Sequence, residues 1–272
     1  MQSFFDGITV WAYNVLPAIF PFTLLTAFLL KIKKSGKFSI TKKLYGIPCD
    51  EVLLTSLLCG YPIGAKAISE SDESVECASA MCSFCSTAGP IFMFATVGVK
   101  LLQSTTAAII ILTTHYISAA LNGLIYCRTN KSLKAKISEN SRTQSSIDFG
   151  ETVANAVSAV LSVGGLIAVF YMLSDMIKYA LPTDMQNNTA VAFAMGLFEM
   201  TVGIFNVCKT ADLACATVLC SAILSFGGLC VFMQCYAFLS RKGIKAVTVL
   251  KMKITQSAIA TIISYFMTLL LL

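Results

Sequence analysis

The sequence predicts an all-α polytopic membrane protein with an inverted-repeat, transporter-like core that contains broken helices and two re-entrant hairpins. Three observations support this prediction. The 272 residues are 56% hydrophobic and 12% charged, with a mean hydropathy of +0.77. The basic residues cluster in short stretches, and the two halves share a pattern of small residues. A soluble domain of this length cannot bury so much apolar surface.

Four apolar runs are close to the roughly 20 residues that a helix needs to cross about 30 Å of hydrocarbon. They cover residues 8–30, 101–127, 152–174 and 247–272. The first run follows Asp6 rather than a basic segment, and it contains Pro17 and Pro21 with no small-residue cleavage site after them. We therefore expect a retained helix rather than a signal peptide.

Sixteen of the twenty Lys and Arg residues lie in three stretches, 31–43, 128–142 and 241–253. Cytoplasmic loops carry such an excess, so all three loops are predicted to lie in the cytoplasm and both termini outside. Attraction to anionic lipid headgroups accounts for this charge, so membrane lipid is an expected partner and nucleic acid is not. The acidic cluster at Glu70, Asp72, Glu73 and Glu76 is predicted to form a solvated outer loop.

Four further apolar segments are short or contain Gly or Pro, at 52–68, 77–98, 190–207 and 213–237. With the basic loops inside, the chain between 43 and 128 must cross the membrane an even number of times, so one of its three apolar segments does not cross. The centre of 77–98, "STAGP", suits a re-entrant hairpin whose backbone is exposed to a cavity. The segment 213–237 is predicted to be its counterpart in the second half.

The two halves align at an offset of 139 residues. This shift places Gly64 on Gly203, Ser86 on Ser225, Ala88 on Gly227 and Gly89 on Gly228. Three crossings in each half would invert the second copy, and such inverted repeats with interrupted helices are typical of transporters. We therefore predict a first membrane repeat at 1–136, a cytoplasmic linker at 137–150 and a second, inverted repeat at 151–272.

Glu199 is the one acid well inside an apolar segment, where a charge is expensive. It is expected either to bind a solute, proton or cation, or to bond a helix terminus or Lys66. Glycine-rich breaks expose backbone groups that could bind an anion, a sugar hydroxyl or a cation, although glycines also permit close helix packing. The candidate binding residues are Gly60, Tyr61, Pro62, Gly64, Lys66, Ser86, Thr87, Gly89, Pro90, Glu199, Asn206, Gly227, Gly228 and Gln234.

No hydrolytic motif, phosphate loop or metal triad is present, so no enzyme, catalytic residue, metal site or cofactor is expected. Cys82 and Cys85 form a CxxC on one helix face, for which redox or metal use is a minor alternative. His115 is the only histidine, and a lone histidine in a helix is more often a packed donor than a proton relay.

The motifs "LPAIFPF", "LLCGYPIGAKAIS", "STAGPIFMFATVG", "GLFEMTVGI" and "FGGLCVFMQ" occur in this order along nearly the whole chain. In these motifs the sequence resembles YlbJ-type sporulation integral membrane proteins, within the wider nucleoside-recognition or Gate-domain group. The resemblance implies a gate-like transporter core and a role in endospore formation. Members of the group often carry Asn near the position of Thr87 and His near that of Phe232, so this sequence departs from the pattern at both positions.

Movement or gating of a small polar solute, such as a nucleoside-like molecule or an ion, is the function that these features favour. A non-transporting membrane scaffold in spore-envelope assembly is the alternative, and it would use the same polar residues for packing. A metal-ion permease is a third hypothesis, which requires cysteines to converge with Glu199. A homo-oligomer or other sporulation membrane proteins are possible partners.

Overall fold

The computed structural model describes residues 2–29, 39–129, 149–183 and 185–272, and within these ranges the secondary structure is helical, without strands. The helices are α1 (Gln2–Val10), α2 (Leu16–Leu29), α3 (Ile40–Tyr45), α4 (Asp50–Cys59), α5 (Ile63–Glu70), α6 (Val75–Met81), α7 (Thr105–Thr129), α8 (Phe149–Ala180), α9 (Thr189–Phe198), α10 (Met200–Thr210), α11 (Leu213–Phe226), α12 (Gly228–Leu239) and α13 (Ala246–Leu271). Two π-helices occupy Trp11–Val15 and Phe92–Leu101, and a 3₁₀ turn occupies Ser240–Lys242. Most of the predicted linker, residues 137–148, lies outside the described residues.

Four stretches of the described chain are long and apolar enough to cross a membrane: Thr105–Arg128, Thr152–Ala180, Leu213–Lys242 and Ala246–Leu271. Three of them correspond to predicted spans, and the all-α, multi-pass membrane protein is therefore confirmed. The fourth, Leu213–Lys242, includes the break at Gly227. The predicted span 8–30 is helical as far as Leu29 but is divided by the π-helix.

The helices α4 and α5 form a folded pair, because the chain turns back on itself at residues 60–62. A methyl group on Gly64 would lie 2.9 Å from the Ser56 Cβ, so the start of α5 lies directly against the end of α4. Gly60 ends α4 with a φ of +73°, and Pro62 precedes the first residue of α5. We call α4–α5 the first folded pair.

The helices α9 and α10 form the second folded pair, which turns at Glu199. Thr189 Oγ1 donates to the Thr210 carbonyl at 3.0 Å, which joins the two far ends of the pair. Nearer the turn, a methyl group on Gly203 would lie 1.9 Å from the Gly196 Cα. Only glycine at both positions allows backbones to approach so closely.

The predicted re-entrant hairpins at 77–98 and 213–237 are wrong in their location. In the fully described range 75–101, α6 and the π-helix Phe92–Leu101 do not pack side by side, and neither do α11 and α12. The apolar segments 52–68 and 190–207 fold back instead, as the first and second folded pairs. Whether a segment folds back depends on contacts such as Ser56–Gly64 and Gly196–Gly203. Helix-breaking residues alone do not determine such contacts.

The acidic cluster lies at the same end of the molecule as the basic loop 241–245. Lys242 Nζ donates to the Ser71 carbonyl, and Glu70 and Arg241 line one cavity. The prediction that placed these two loops on opposite sides of the membrane is therefore wrong. Lys253, predicted as a loop base, lies two turns inside α13 and is buried.

Each folded pair packs its turn against a break in the segment that follows it. A methyl group on Gly60 would lie 2.3 Å from the Gly89 backbone nitrogen. In the second half, a methyl group on Gly228 would lie 3.1 Å from the Met200 nitrogen, next to the turn at Glu199. Gly60 and Glu199, at the turns of the two folded pairs, are 139 positions apart in the sequence, and so are Gly89 and Gly228, at the two breaks. The two halves thus repeat one local arrangement at the offset found in the sequence.

Candidate functional site

Three interruptions of the helices meet at the middle of the molecule, between α7 and α13. They are the turn of the first folded pair, the break at residues 82–89 and the break at 227–228. We call the polar residues that join them the central cluster. Its members are Tyr61, Ser86, His115, Ser225, Lys253 and Gln256, each at most 7% exposed.

Lys253 ties α13 to the first half of the chain. Its Nζ donates to Tyr61 Oη at 2.5 Å, to the Ser86 carbonyl, and to Gln256 Oε1 at 3.1 Å. The Tyr61 Oη is itself 3.5 Å from the Leu224 carbonyl, to which it donates, so its lone pairs are available to Lys253. The ammonium has three N–H groups, and all three have acceptors.

His115 joins the two breaks to each other. The Ala88 backbone N–H donates to His115 Nε2 at 2.9 Å, so this ring nitrogen must carry a lone pair. The proton of a neutral imidazole then sits on Nδ1, which donates to Ser225 Oγ at 3.0 Å. Both ring nitrogens are thus committed to hydrogen bonds within the fold. The expectation of a packed histidine agrees with this geometry.

A central cavity of about 80 Å³ adjoins the central cluster, and Tyr61 lines both. Its wall includes Gly89 from the break at residues 82–89, which we call the first break, the adjoining Pro90, and Glu199 from the turn of the second folded pair. Glu199 has an extended backbone, and its Oε2 accepts from the Val202 N–H at 2.7 Å, so it caps α10. An acid is stabilised at a helix N-terminus, which explains how Glu199 can lie in an apolar segment at 2% exposure.

Two larger cavities, each of about 330 Å³, flank the central cavity. The first, which we call the Lys100 cavity, is lined by Lys100, Lys178 and Lys209 together with Asp175. It shares lining residues Phe92 and Thr201 with the central cavity.

The second flanking cavity, the Lys66 cavity, is lined by Lys66, Glu70 and Arg241. It shares lining residues Val163 and Gln234 with the central cavity. Three neighbouring cavities therefore follow one another between the Lys100 end and the Lys66 end of the molecule.

The structure brings five of the predicted binding residues together around the central cavity: Tyr61, Gly89, Pro90, Glu199 and Gln234. Two others lie in different cavities. Lys66 pairs with Glu70 at 3.9 Å at one end, and Asn206 lines the Lys100 cavity at the other. The proposed bond between Glu199 and Lys66 is absent from these described residues, because Glu199 caps its own helix.

The remaining predicted residues support the breaks rather than line the central cavity. The Thr87 hydroxyl donates to the Ser56 carbonyl at 3.0 Å, which ties the first break to the first folded pair. The glycines permit close packing or left-handed backbone, as described above for Gly60, Gly64 and Gly228, and Gly227 has a φ of +91°. Pro62 precedes α5, and Ser86 contributes its carbonyl to Lys253.

Sequence reasoning missed Lys253, Gln256 and Thr201. Lys253 and Gln256 are three positions apart and therefore share one face of α13. The same buried face continues with Ala260, Ser264 and Thr268. A stripe of polar and small residues through an apolar helix was the available signal.

The described residues contain no group of three or more His, Cys, Asp and Glu side chains placed to hold a metal ion. The cysteines form no disulfides, and Cys208 and Cys220, whose sulfur atoms are 3.8 Å apart, do not line the cavity that contains Glu199. The metal-permease hypothesis therefore gains no support from the site.

Comparison with known proteins finds a distant relative. The chain is 23% identical to the sporulation integral membrane protein YlbJ of Bacillus subtilis (strain 168), over 88% of this chain and 70% of the relative. No family model matches the sequence, and no solved structure matches it. The similarity to an integral membrane protein involved in sporulation thus extends over most of the chain.

Proposed function

We propose that the protein carries a small polar solute across the membrane through the three cavities, in the manner of an alternating-access transporter or gate. The observation that supports this most is the chain of cavities itself. A scaffold held together only by packing would not need charged residues lining a cavity at each end and a buried acid, Glu199, in the narrow and mainly apolar cavity between them.

The dimensions of the cavities fit a membrane path. Along α8 their walls extend from Ser158 in the Lys66 cavity to Lys178 in the Lys100 cavity. Twenty residues of α-helix rise about 30 Å, which is the thickness of the hydrocarbon core. The narrow central cavity falls between these positions and contains Glu199 and Gln234.

The repeated arrangement of the halves supports an inverted repeat. In each half a long helix is followed by a folded pair, a broken segment and a second long helix. With three crossings per half, the first folded pair would enter from the cytoplasm and the second from outside. Transporters built in this way bind their solute near the midplane, where the interrupted helices meet.

This arrangement also fits the distribution of charge. The Lys66 end would face the cytoplasm together with the loop 241–245, as the positive-inside rule requires, and both termini would be outside. By similarity to the Bacillus subtilis protein, the proposed setting is a bacterial cell membrane during endospore formation. Nucleosides are the first solutes to test, because the resemblance described above is to a nucleoside-recognition group.

Uptake of radiolabelled nucleosides by purified protein in liposomes tests the proposal. Val163 lines both the central cavity and the Lys66 cavity, so Val163→Phe should block the path and reduce flux at least tenfold. Val169→Phe is the matched control, because Val169 is on the same helix but 39% exposed on its outer surface. It should leave flux unchanged.

A second pair of variants tests the role of Glu199. Glu199→Gln should alter flux, whereas Asp6→Asn, a change at an exposed acid, should not. Unchanged flux in both Val163→Phe and Glu199→Gln would overturn the assignment of the path. Absence of flux for nucleosides, amino acids and monovalent cations in folded wild-type protein would favour the scaffold.

A further inference from the structure

Lys253 places an amine that donates to three acceptors in a part of α13 that is buried among apolar helices. It is 4% exposed, and within the described part of the chain no carboxylate pairs with it. Charged residues at such depth are rare, and they mark sites where a charge has a specific role.

The atoms around the ammonium resemble the coordination shell of a monovalent metal ion. They are a backbone carbonyl at an interrupted helix (Ser86), an amide oxygen (Gln256) and a phenolic oxygen (Tyr61). Hard cations prefer oxygen ligands, and exposed carbonyls of interrupted helices bind Na⁺ in transporters. The Tyr61 ring adds its face, whose centre is 4.4 Å from the Lys253 Nζ.

No anion among the described neighbours competes for this charge. The titratable groups that interact with Lys253 electrostatically are the thiols of Cys82 on the first broken segment and Cys235 on α12. His115 on α7 is also near, and its two nitrogens are already engaged with Ala88 and Ser225.

We propose that Tyr61, Ser86 and Gln256 form a monovalent-cation site, and that Lys253 fills it with its own ammonium. The turn of the first folded pair and the break at residues 82–89 are then held to α13 by a tethered charge, so that the protein needs no free Na⁺ or K⁺ for this purpose. The proposal does not depend on solute transport, because it concerns what occupies the site.

The first test uses the wild-type protein in detergent. Its thermal unfolding is compared in NaCl, KCl and N-methylglucamine chloride at equal ionic strength. If the site is filled internally, the three Tm values agree. A higher Tm specific to Na⁺ or K⁺ would overturn the proposal, whatever the behaviour of any variant.

The second test removes the tethered cation. Lys253→Ala leaves space that matches propylammonium, so this ion should bind and raise the Tm of the variant. A concentration ten times the Kd corresponds to a rise of about 3 to 6 °C for a protein of this size. Na⁺ should also stabilise this variant, although it does not stabilise the wild type.

Controls separate charge from mere filling of space. The neutral analogue 1-propanol should not stabilise Lys253→Ala, and propylammonium should not stabilise Lys253→Met, in which the side chain occupies the space. Lys251→Ala, a change at an exposed lysine of the same helix, should resemble the wild type in every salt. Equal rescue by 1-propanol, or no rescue by either cation in a folded Lys253→Ala protein, would overturn the proposal.

Discussion

His115 Nδ1 lies 3.0 Å from Ser225 Oγ, so the last helix of the first half reaches the break of the second half. The reciprocal contact also exists. At the offset of 139 residues, Ser86 corresponds to Ser225, and His115 corresponds to position 254, which is next to Lys253. Lys253 Nζ donates to the Ser86 carbonyl. Each half therefore sends one polar side chain to the break of the other, and the pair of contacts couples the two breaks.

We expect loss of the His115 bridge to destabilise the protein. His115→Leu leaves the Ala88 N–H without its acceptor and Ser225 without its donor. At about 1–3 kcal/mol per orphaned buried group, the two together should cost about 2 to 6 kcal/mol of unfolding free energy. Ser225→Ala removes only one partner and should cost about 1 kcal/mol. Thermal unfolding in detergent measures both changes.

The double variant distinguishes a direct bond from two separate effects. Interhelical hydrogen bonds in membranes couple by about 0.6 kcal/mol on average, so His115→Leu and Ser225→Ala together should destabilise less than the sum of the two. Strict additivity would contradict the bridge. Ser221→Ala, a change at a buried serine of α11 that bonds its own helix, should add to His115→Leu without coupling.

Gly60, which contacts Gly89, should be among the positions that tolerate substitution least. Alanine at 60 combines a backbone conformation open mainly to glycine with a methyl group 2.3 Å from the Gly89 nitrogen, for an expected cost of about 3 to 4 kcal/mol. Gly46→Ala is the matched control: its φ is +80°, but nothing lies within 4 Å, so about 1 kcal/mol is expected. Equal loss of Tm in the two variants would contradict close packing of the breaks.

The positions of the helix interruptions could be predicted from the sequence, because they depend on local chemistry. Gly60 with Pro62 and Gly227 with Gly228 disrupt helices wherever they lie. The offset of 139 was also visible, since it repeats small residues at positions where backbones approach closely. Such signals place Tyr61, Gly89, Pro90, Glu199 and Gln234 among the candidate binding residues, and the structure brings these five together around the central cavity.

The direction of the chain after each interruption could not be predicted in this way. Whether a segment folds back or continues depends on contacts such as that between Gly196 and Gly203, and any glycine pair could provide them. The prediction of Lys253 as a loop residue is wrong for a related reason, because a lysine near the start of an apolar run resembles a basic residue of a loop. Its burial follows only from the acceptors that Tyr61 and Ser86 supply from distant parts of the chain.

Removal of the Glu199 carboxylate should weaken α10. Glu199→Ala leaves the Val202 N–H without its cap, for an expected loss of about 1 to 2 kcal/mol, and Glu199→Gln should lose less because its amide oxygen still accepts. Asp212→Ala is the control, because it removes the exposed cap of α11, whose Oδ1 accepts from the Cys215 N–H at 3.0 Å. It should cost about 0.5 to 1 kcal/mol, because water replaces the lost hydrogen bond. A smaller Tm loss for Glu199→Ala than for Asp212→Ala would contradict the buried cap.

The two ends of the cavity path should be accessible from opposite sides of the membrane. Asp72 and Arg241 lie at the Lys66 end, and Lys100 and Lys209 at the other, so single cysteines at these four exposed positions report the arrangement. In a background with Cys208 and Cys215 replaced by serine, an impermeant maleimide should label positions 100 and 209 in intact cells. Positions 72 and 241 should react only in inverted vesicles, because the basic loop 241–245 is predicted inside. If the first folded pair begins and ends at one surface, the segment 75–101 must cross the membrane and place positions 72 and 100 on opposite sides. Labelling of both positions from the same side would therefore contradict the folded pairs and the inverted repeat.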